Sequence, residues 1–139
     1  MPKVEFIRLH KPEKARHLCE LSEEFLRGGQ RVLITVQDEN QAMTLDRFMW
    51  TWQKGSFIPH ACDNGAADCL EEPVVIAVAE RNPNGARVLI MGRACSLDFL
   101  RQFDRVIDFA ETYDDALAAS ARARFARYRE AGLDPRMRQ

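Results

Sequence analysis

Residues 4–9 alternate apolar and polar side chains, with Val4, Phe6 and Leu9 among the apolar positions, and this period of two predicts a strand. From Pro12 the spacing becomes helical through Ala15, Leu18, Cys19, Ser22, Phe25 and Leu26, and Gly28 and Gly29 close that helix. Residues 31–36 (RVLITV) form a nearly continuous apolar run, the mark of a strand covered on both faces. A second helix is predicted over 40–52, where Gln41, Leu45, Phe48, Met49 and Trp52 share a face. The stretch 54–73 has no period. Beyond it, 74–79 and 87–91 read as strands joined by the NPNG turn at 82–85. Ser96 is a predicted N-cap for a short helix to Phe103. A last strand follows over 106–109 and a last helix over 113–131, ended by Gly132 and Pro135.

Strands alternating with helices predict a three-layer α/β fold, a mostly parallel sheet flanked by helices. The NPNG turn, read as a hairpin, makes that sheet mixed. At 139 residues the chain has the length of one domain, assigned to 1–139, with a disordered end expected over the last six residues. Its hydrophobic share of 46% and charged share of 29% give no reason to expect disorder or a fibrous repeat.

Charge changes the picture at one end. The net formal charge is −1, yet residues 120–139 hold six arginines against Glu130 and Asp134, so a local +4 faces −5 on the rest of the chain. Charges scattered through the first thirty residues, with no apolar run, predict a protein that stays in the cytoplasm. Four cysteines at irregular spacing (Cys19, Cys62, Cys69, Cys95) predict reduced thiols.

Candidate chemistry is sparse. The turn after the first strand reads Leu9-His10-Lys11-Pro12, without a glycine-rich loop or Gly-Lys-Ser/Thr, and the second, Gln37-Asp38-Glu39, is acidic where a phosphate needs free amides. His60, Cys62, Asp63 and Cys69 lack a Cys-x-x-Cys pair and match no common zinc spacing. No third group orients His60 and Cys62 for thiol catalysis, and the simpler reading is that His60 fixes its loop. No metal, cofactor or catalytic residue is therefore assigned.

Two features point to recognition instead. Trp50 lies roughly 140° around the second helix from Leu45, off its apolar stripe. On spacing alone, a loop carrying Phe57, Ile58 and Pro59 folding back over it and a partner-binding groove account for it equally well. In the last helix, Ala118, Arg122, Phe125 and Arg129 share one side, and Leu117, Ala121 and Tyr128 another, suited to packing on the sheet. Two guanidinium groups a heptad apart, about 10 Å along the axis, with a ring between them suit an acidic peptide ending in a hydrophobic residue and a free carboxylate. Composition alone favours the plainer reading, a solvated arginine face.

The segments Arg31-Val32-Leu33-Ile34, Asp38-Glu39-Asn40-Gln41-Ala42, Leu45-Asp46, Trp50, Ser56-Phe57-Ile58-Pro59-His60, Pro73-Val74, Val106-Ile107-Asp108-Phe109 and RARFARYREAG at 122–132 together resemble the chi subunit of bacterial DNA polymerase III, in the right order over nearly the whole chain. The resemblance implies a Rossmann-like α/β fold without a phosphate-binding loop, and a non-catalytic subunit. It implies a bridge from the clamp loader to the acidic, hydrophobic C-terminal tail of single-stranded-DNA-binding protein, with a separate surface for the psi subunit or a helicase-like partner.

Carried over residue by residue, it implies a tail site of Arg122, Phe125 and Arg129, with Ala110 at its apolar edge and Arg124 nearby. It also implies that Trp50 and Phe57 line the psi surface. Phe125 stands where the family carries tyrosine, a loss of one hydrogen bond of about 1 kcal/mol at most. Residues 110–114 are one residue longer than the family pattern. A nucleotide-dependent enzyme on the same fold and direct binding of single-stranded DNA by the terminal arginines are the alternatives.

Overall fold

The computed structural model describes residues 1–65 and 68–138. The chain runs β1 (Lys3–Leu9), α1 (Lys14–Arg27), β2 (Val32–Thr35), α2 (Glu39–Thr51), β3 (His60–Cys62), β4 (Val74–Ala77), β5 (Val88–Met91), α3 (Leu97–Leu100), β6 (Arg105–Glu111), α4 (Asp115–Glu130) and β7 (Arg136–Met137). The strands form one sheet in the order β3-β4-β2-β5-β6-β1-β7. The α/β class is as expected.

The mixed sheet is corrected: every neighbouring pair is parallel. Strands β4 and β5 are not hairpin partners but flank β2 on opposite sides. The NPNG segment does turn, with Asn82 accepting from the Ala86 amide and donating to the Ala86 carbonyl at 2.9 Å. That turn bends a crossover. Asn84 is fully buried, donates to Glu72 O and Val32 O at 2.9 and 3.3 Å, and its carbonyl accepts from Arg31 at 2.8 Å. The turn-forming residues therefore tie the crossover to the N-terminal end of β2.

Central strands are buried on both faces, which explains their unbroken apolar runs. On one face Leu18, Cys19, Leu21 and Phe25 of α1 and Ala42, Leu45 and Met49 of α2 pack against Ile34, Ile76, Ile90 and Phe109. On the other, Phe99 and Leu100 of α3 and Tyr128 of α4 pack against Phe6, Leu33, Leu89 and Val106. Three helices start on side-chain caps: Asp38 accepts from Gln41 N, Ser96 from Phe99 N and Asp114 from Leu117 N. Gly132 closes α4 at φ 85°, a conformation that favours glycine, so that Leu133 N reaches Tyr128 O at 3.0 Å.

Other details depart from the periodic reading. The stretch 54–73, predicted irregular, contains the edge strand β3, and the last six residues contain β7, which pairs with β1 at Glu5 and Phe6. Both are too short to show a period. Gln41 and Phe48 stay exposed although they share the predicted face of α2; Ala42 is buried instead. Leu117, expected on the sheet-facing side of α4, is 39% exposed.

Gly92 follows β5 where the backbone passes close to β2, and a Cβ there would lie 2.4 Å from Thr35 O. A main-chain atom at that range cannot swing aside. Gly92→Ala is expected to cost about 1–3 kcal/mol, read as a lower midpoint in thermal unfolding. A wild-type midpoint would contradict this account of the strand spacing.

Candidate functional site

Strand β6 carries Asp108 inside the otherwise apolar run VIDF, and the residue is only 3% exposed, with its carboxylate on the α4 side. A buried carboxylate needs partners. Arg124 of α4 supplies two, Nε at 2.9 Å and Nη2 at 3.2 Å, and the Tyr128 hydroxyl donates a third bond at 3.0 Å. Arg124 Nη2 also donates to Phe109 O at 2.9 Å. Burial opposes the Arg124 charge, but Asp108 outweighs it and holds the guanidinium above its ordinary pKa. Burial and then Asp108 likewise push the Tyr128 hydroxyl up. These bonds pin α4 to β6 at one rotation.

That rotation decides which side chains face out. Arg122 and Arg129 are exposed, and Phe125 is half-buried between them. The Arg129 guanidinium carbon sits 5.2 Å from the Phe125 ring centroid, and that ring packs on Phe6 at 5.3 Å. Ala110 is half-buried and packs with Phe125 against the same core cluster. Arg122, Phe125, Arg129 and Ala110 thus border one surface. Arg124, grouped with them from the sequence, is instead engaged with Asp108 and serves to hold the helix.

The second candidate surface lies across the sheet. Trp50, near the end of α2, is 49% exposed, and Phe57 is 71% exposed with its ring centroid 5.8 Å from that of Trp50. The loop does fold back, but it buries Ile58 and leaves both rings open. His60 supports the indole from beneath at 4.5 Å. Its Nδ1–H donates to Ile58 O at 2.6 Å, and Nε2 faces the Asp46 carboxylate at 3.0 Å. Beside Phe57 opens a cleft of about 520 Å³ lined by Leu26, Pro59, Pro73 and Arg31.

Other chemistry-bearing groups are engaged internally. None of the four cysteines is in a disulfide, and burial pushes Cys19 to about 12 and Cys62 to about 11, the latter helped by Asp46 and Glu39. Among the described residues no three His, Cys, Asp or Glu side chains converge as a metal set. In open parallel sheets ligands sit at the C-terminal strand ends. Here a cleft of about 500 Å³ there includes Lys14, Glu111 and Tyr113. Lys14 is held by Glu111 at 2.8 Å and by Gly92 O at 3.1 Å, and Glu111 also accepts from Tyr113 at 2.6 Å. Burial opposes the Glu111 charge, yet Lys14 and Tyr113 keep its pKa below the ordinary carboxylate value.

The fold and these surfaces define an open parallel α/β domain with two exposed patches, one of arginines about the Phe125 ring and one of the Trp50 and Phe57 rings. A family model described as DNA polymerase III chi subunit, HolC, matches residues 1–136. The chain belongs to the DNA polymerase III chi subunit family, accessory subunits that serve DNA replication. Curated relatives named DNA polymerase III subunit chi agree. That of Escherichia coli K12 is 38% identical over 118 residues, covering 84% of this chain and 79% of the relative. That of Haemophilus influenzae is 33% identical over 115 residues, covering 82% and 78%. That of Pseudomonas aeruginosa is 30% identical over 135 residues, covering 95% and 92%. Among solved structures, T4 UvsW superposes with a TM-score of 0.73 at 8% identity, over 98% of this chain and 41% of that one. The C-terminal domain of the DEAD-box protein Dbp5 gives 0.62 at 10% identity, over 99% and 89%. At such identities the likeness is one of fold. Among the described residues no helix is long and apolar enough to cross a membrane.

Proposed function

We propose that this chain is a non-catalytic, cytoplasmic adaptor of the polymerase III clamp loader. It grips the acidic C-terminal tail of single-stranded-DNA-binding protein at Arg122, Phe125 and Arg129. It binds the psi subunit, or a helicase-like protein, through Trp50 and Phe57. The observation that carries the reading is the free cation, ring, cation row on α4, held in place by Arg124 through Asp108. Guanidinium groups steer and orient the acidic tail, and the apolar edge formed by Phe125 and Ala110 retains its hydrophobic end. A grip of this kind is weak singly and gains strength when several tails are presented together.

Fluorescence anisotropy with a labelled acidic peptide ending in phenylalanine tests the reading. Affinity should fall as salt rises, because exposed charge contacts are screened. Binding that is insensitive to salt, or that a bare single-stranded oligonucleotide matches, would contradict it.

The two surfaces lie on opposite faces of the sheet and should act independently. Trp50→Ala is expected to leave tail-peptide affinity within twofold of wild type and to weaken psi binding by tenfold or more, about the effect of truncating an aromatic anchor. Pull-down and titration of the same preparation check it. A matched loss at both sites would overturn the assignment of two surfaces.

A further inference from the structure

The tail reading places one guanidinium, Arg122, near the apolar edge at Ala110. A terminal carboxylate has two oxygens to satisfy, and the sheet brings a second cation from the other end of the chain. In β1, Val4 and Phe6 belong to the core on the α4 side, and Ile7 and Leu9 to the opposite core. Alternation therefore sets Arg8 on the α4 side. In the parallel register Arg8 stands directly opposite Ala110 of β6, and neighbouring strands lie about 4.8 Å apart.

The same direction is followed on the helix. Phe6 touches Phe125, and Arg8 lies two residues further along β1, about 6.6 Å. Since α4 returns antiparallel to the strands, Arg122 lies three residues before Phe125 in that direction, about 4.5 Å. Arg8 and Arg122 thus flank Ala110 from strand and helix. Arg8 is exposed and forms no ion pair or side-chain hydrogen bond among the described residues; at the edge of the sheet it also borders a cleft with His17, Glu20, Leu21 and Glu24 of α1 and with Arg138. Strand β7 pairs with β1 as far as Phe6, and Arg138 beyond it donates to Phe6 O and borders the same cleft as Arg8.

We propose that Arg8 and Arg122 form a two-guanidinium clamp on the terminal carboxylate of the bound tail, making Arg8 the residue that selects a free C-terminus. The proposal rests on the tail-binding reading. It is tested with the full chain and two peptides of one acidic sequence ending in phenylalanine, one with a free acid and one amidated. Wild type, Arg8→Ala, Arg8→Gln and Arg47→Ala are titrated calorimetrically; Arg47 is an exposed cation on α2, across the sheet, and controls for total charge. Wild type should prefer the free acid by about tenfold. Both Arg8 variants should lose most of that preference by weakening free-acid binding alone, and Arg47→Ala should keep it. A wild-type preference ratio in the Arg8 variants, equal binding of both peptides by wild type, or an equal effect of Arg47→Ala would overturn the clamp and leave the tail site standing. Binding of neither peptide by wild type would overturn the tail reading, and the clamp with it.

Discussion

Arg122→Ala is expected to lower affinity for the tail peptide by about tenfold or more while leaving the unfolding midpoint unchanged. The side chain is exposed and makes no hydrogen bond, ion pair or ring contact among the described residues, so its removal costs the fold little. A hydrogen bond to a charged group contributes about 1.5–3 kcal/mol, and truncation leaves the peptide carboxylate only partly satisfied. Titration calorimetry beside thermal unfolding separates the two effects. Affinity within twofold of wild type would remove Arg122 from the site, whatever the fate of Phe125 and Arg129.

The largest stability effect is expected at Asp108. Replacing it by alanine leaves the Arg124 guanidinium, itself 18% exposed, facing an apolar gap, and removes the acceptor of the fully buried Tyr128 hydroxyl. Breaking a buried pair by deleting one partner costs about 3–5 kcal/mol. Adding Arg124→Leu to Asp108→Ala should restore part of that loss, because the stranded charge goes with it. Urea unfolding of both variants checks this. If the two substitutions lower stability additively, the pair does not act as a unit and its role in setting the rotation of α4 falls. Since the same bonds aim Arg122, Phe125 and Arg129, the single Asp108 variant should also bind the tail peptide less well than its remaining folded fraction accounts for.

The order of the longer strands and helices was legible because β2, β4 and β5 are apolar runs, the helices carry helical spacing and Ser96 marks the start of α3; Asp38 and Asp114 cap α2 and α4 as well, but neither was read as a cap. Relations across the sheet were not. The NPNG segment carries a turn signal, but turn chemistry is local and does not say whether the chain returns beside the strand it left or, as here, crosses β2. Strands β3 and β7, three and two residues long, owe their place to pairing with β4 and β1 rather than to any pattern of their own.

The site was legible in the same uneven way. Helical spacing brings Arg122, Phe125 and Arg129 to one side of α4, and the structure leaves that row exposed or half-buried. The resemblance also grouped Arg124 with them, yet Asp108 takes it inward. The one signal for this was a carboxylate in the middle of an apolar strand, which demands a cationic partner without naming it. Arg8 gave no signal at all, since only the register of β1 on β6 sets it beside Ala110. Trp50 and Phe57 meet on the surface, with His60 beneath the indole as support.

The most direct measurement is calorimetric titration of the purified protein with a peptide copying the C-terminus of single-stranded-DNA-binding protein, beside the same peptide without its final aromatic residue. The account predicts micromolar binding of the first and loss of binding for the second. A well-folded sample that binds neither at low salt, or both alike, would contradict it.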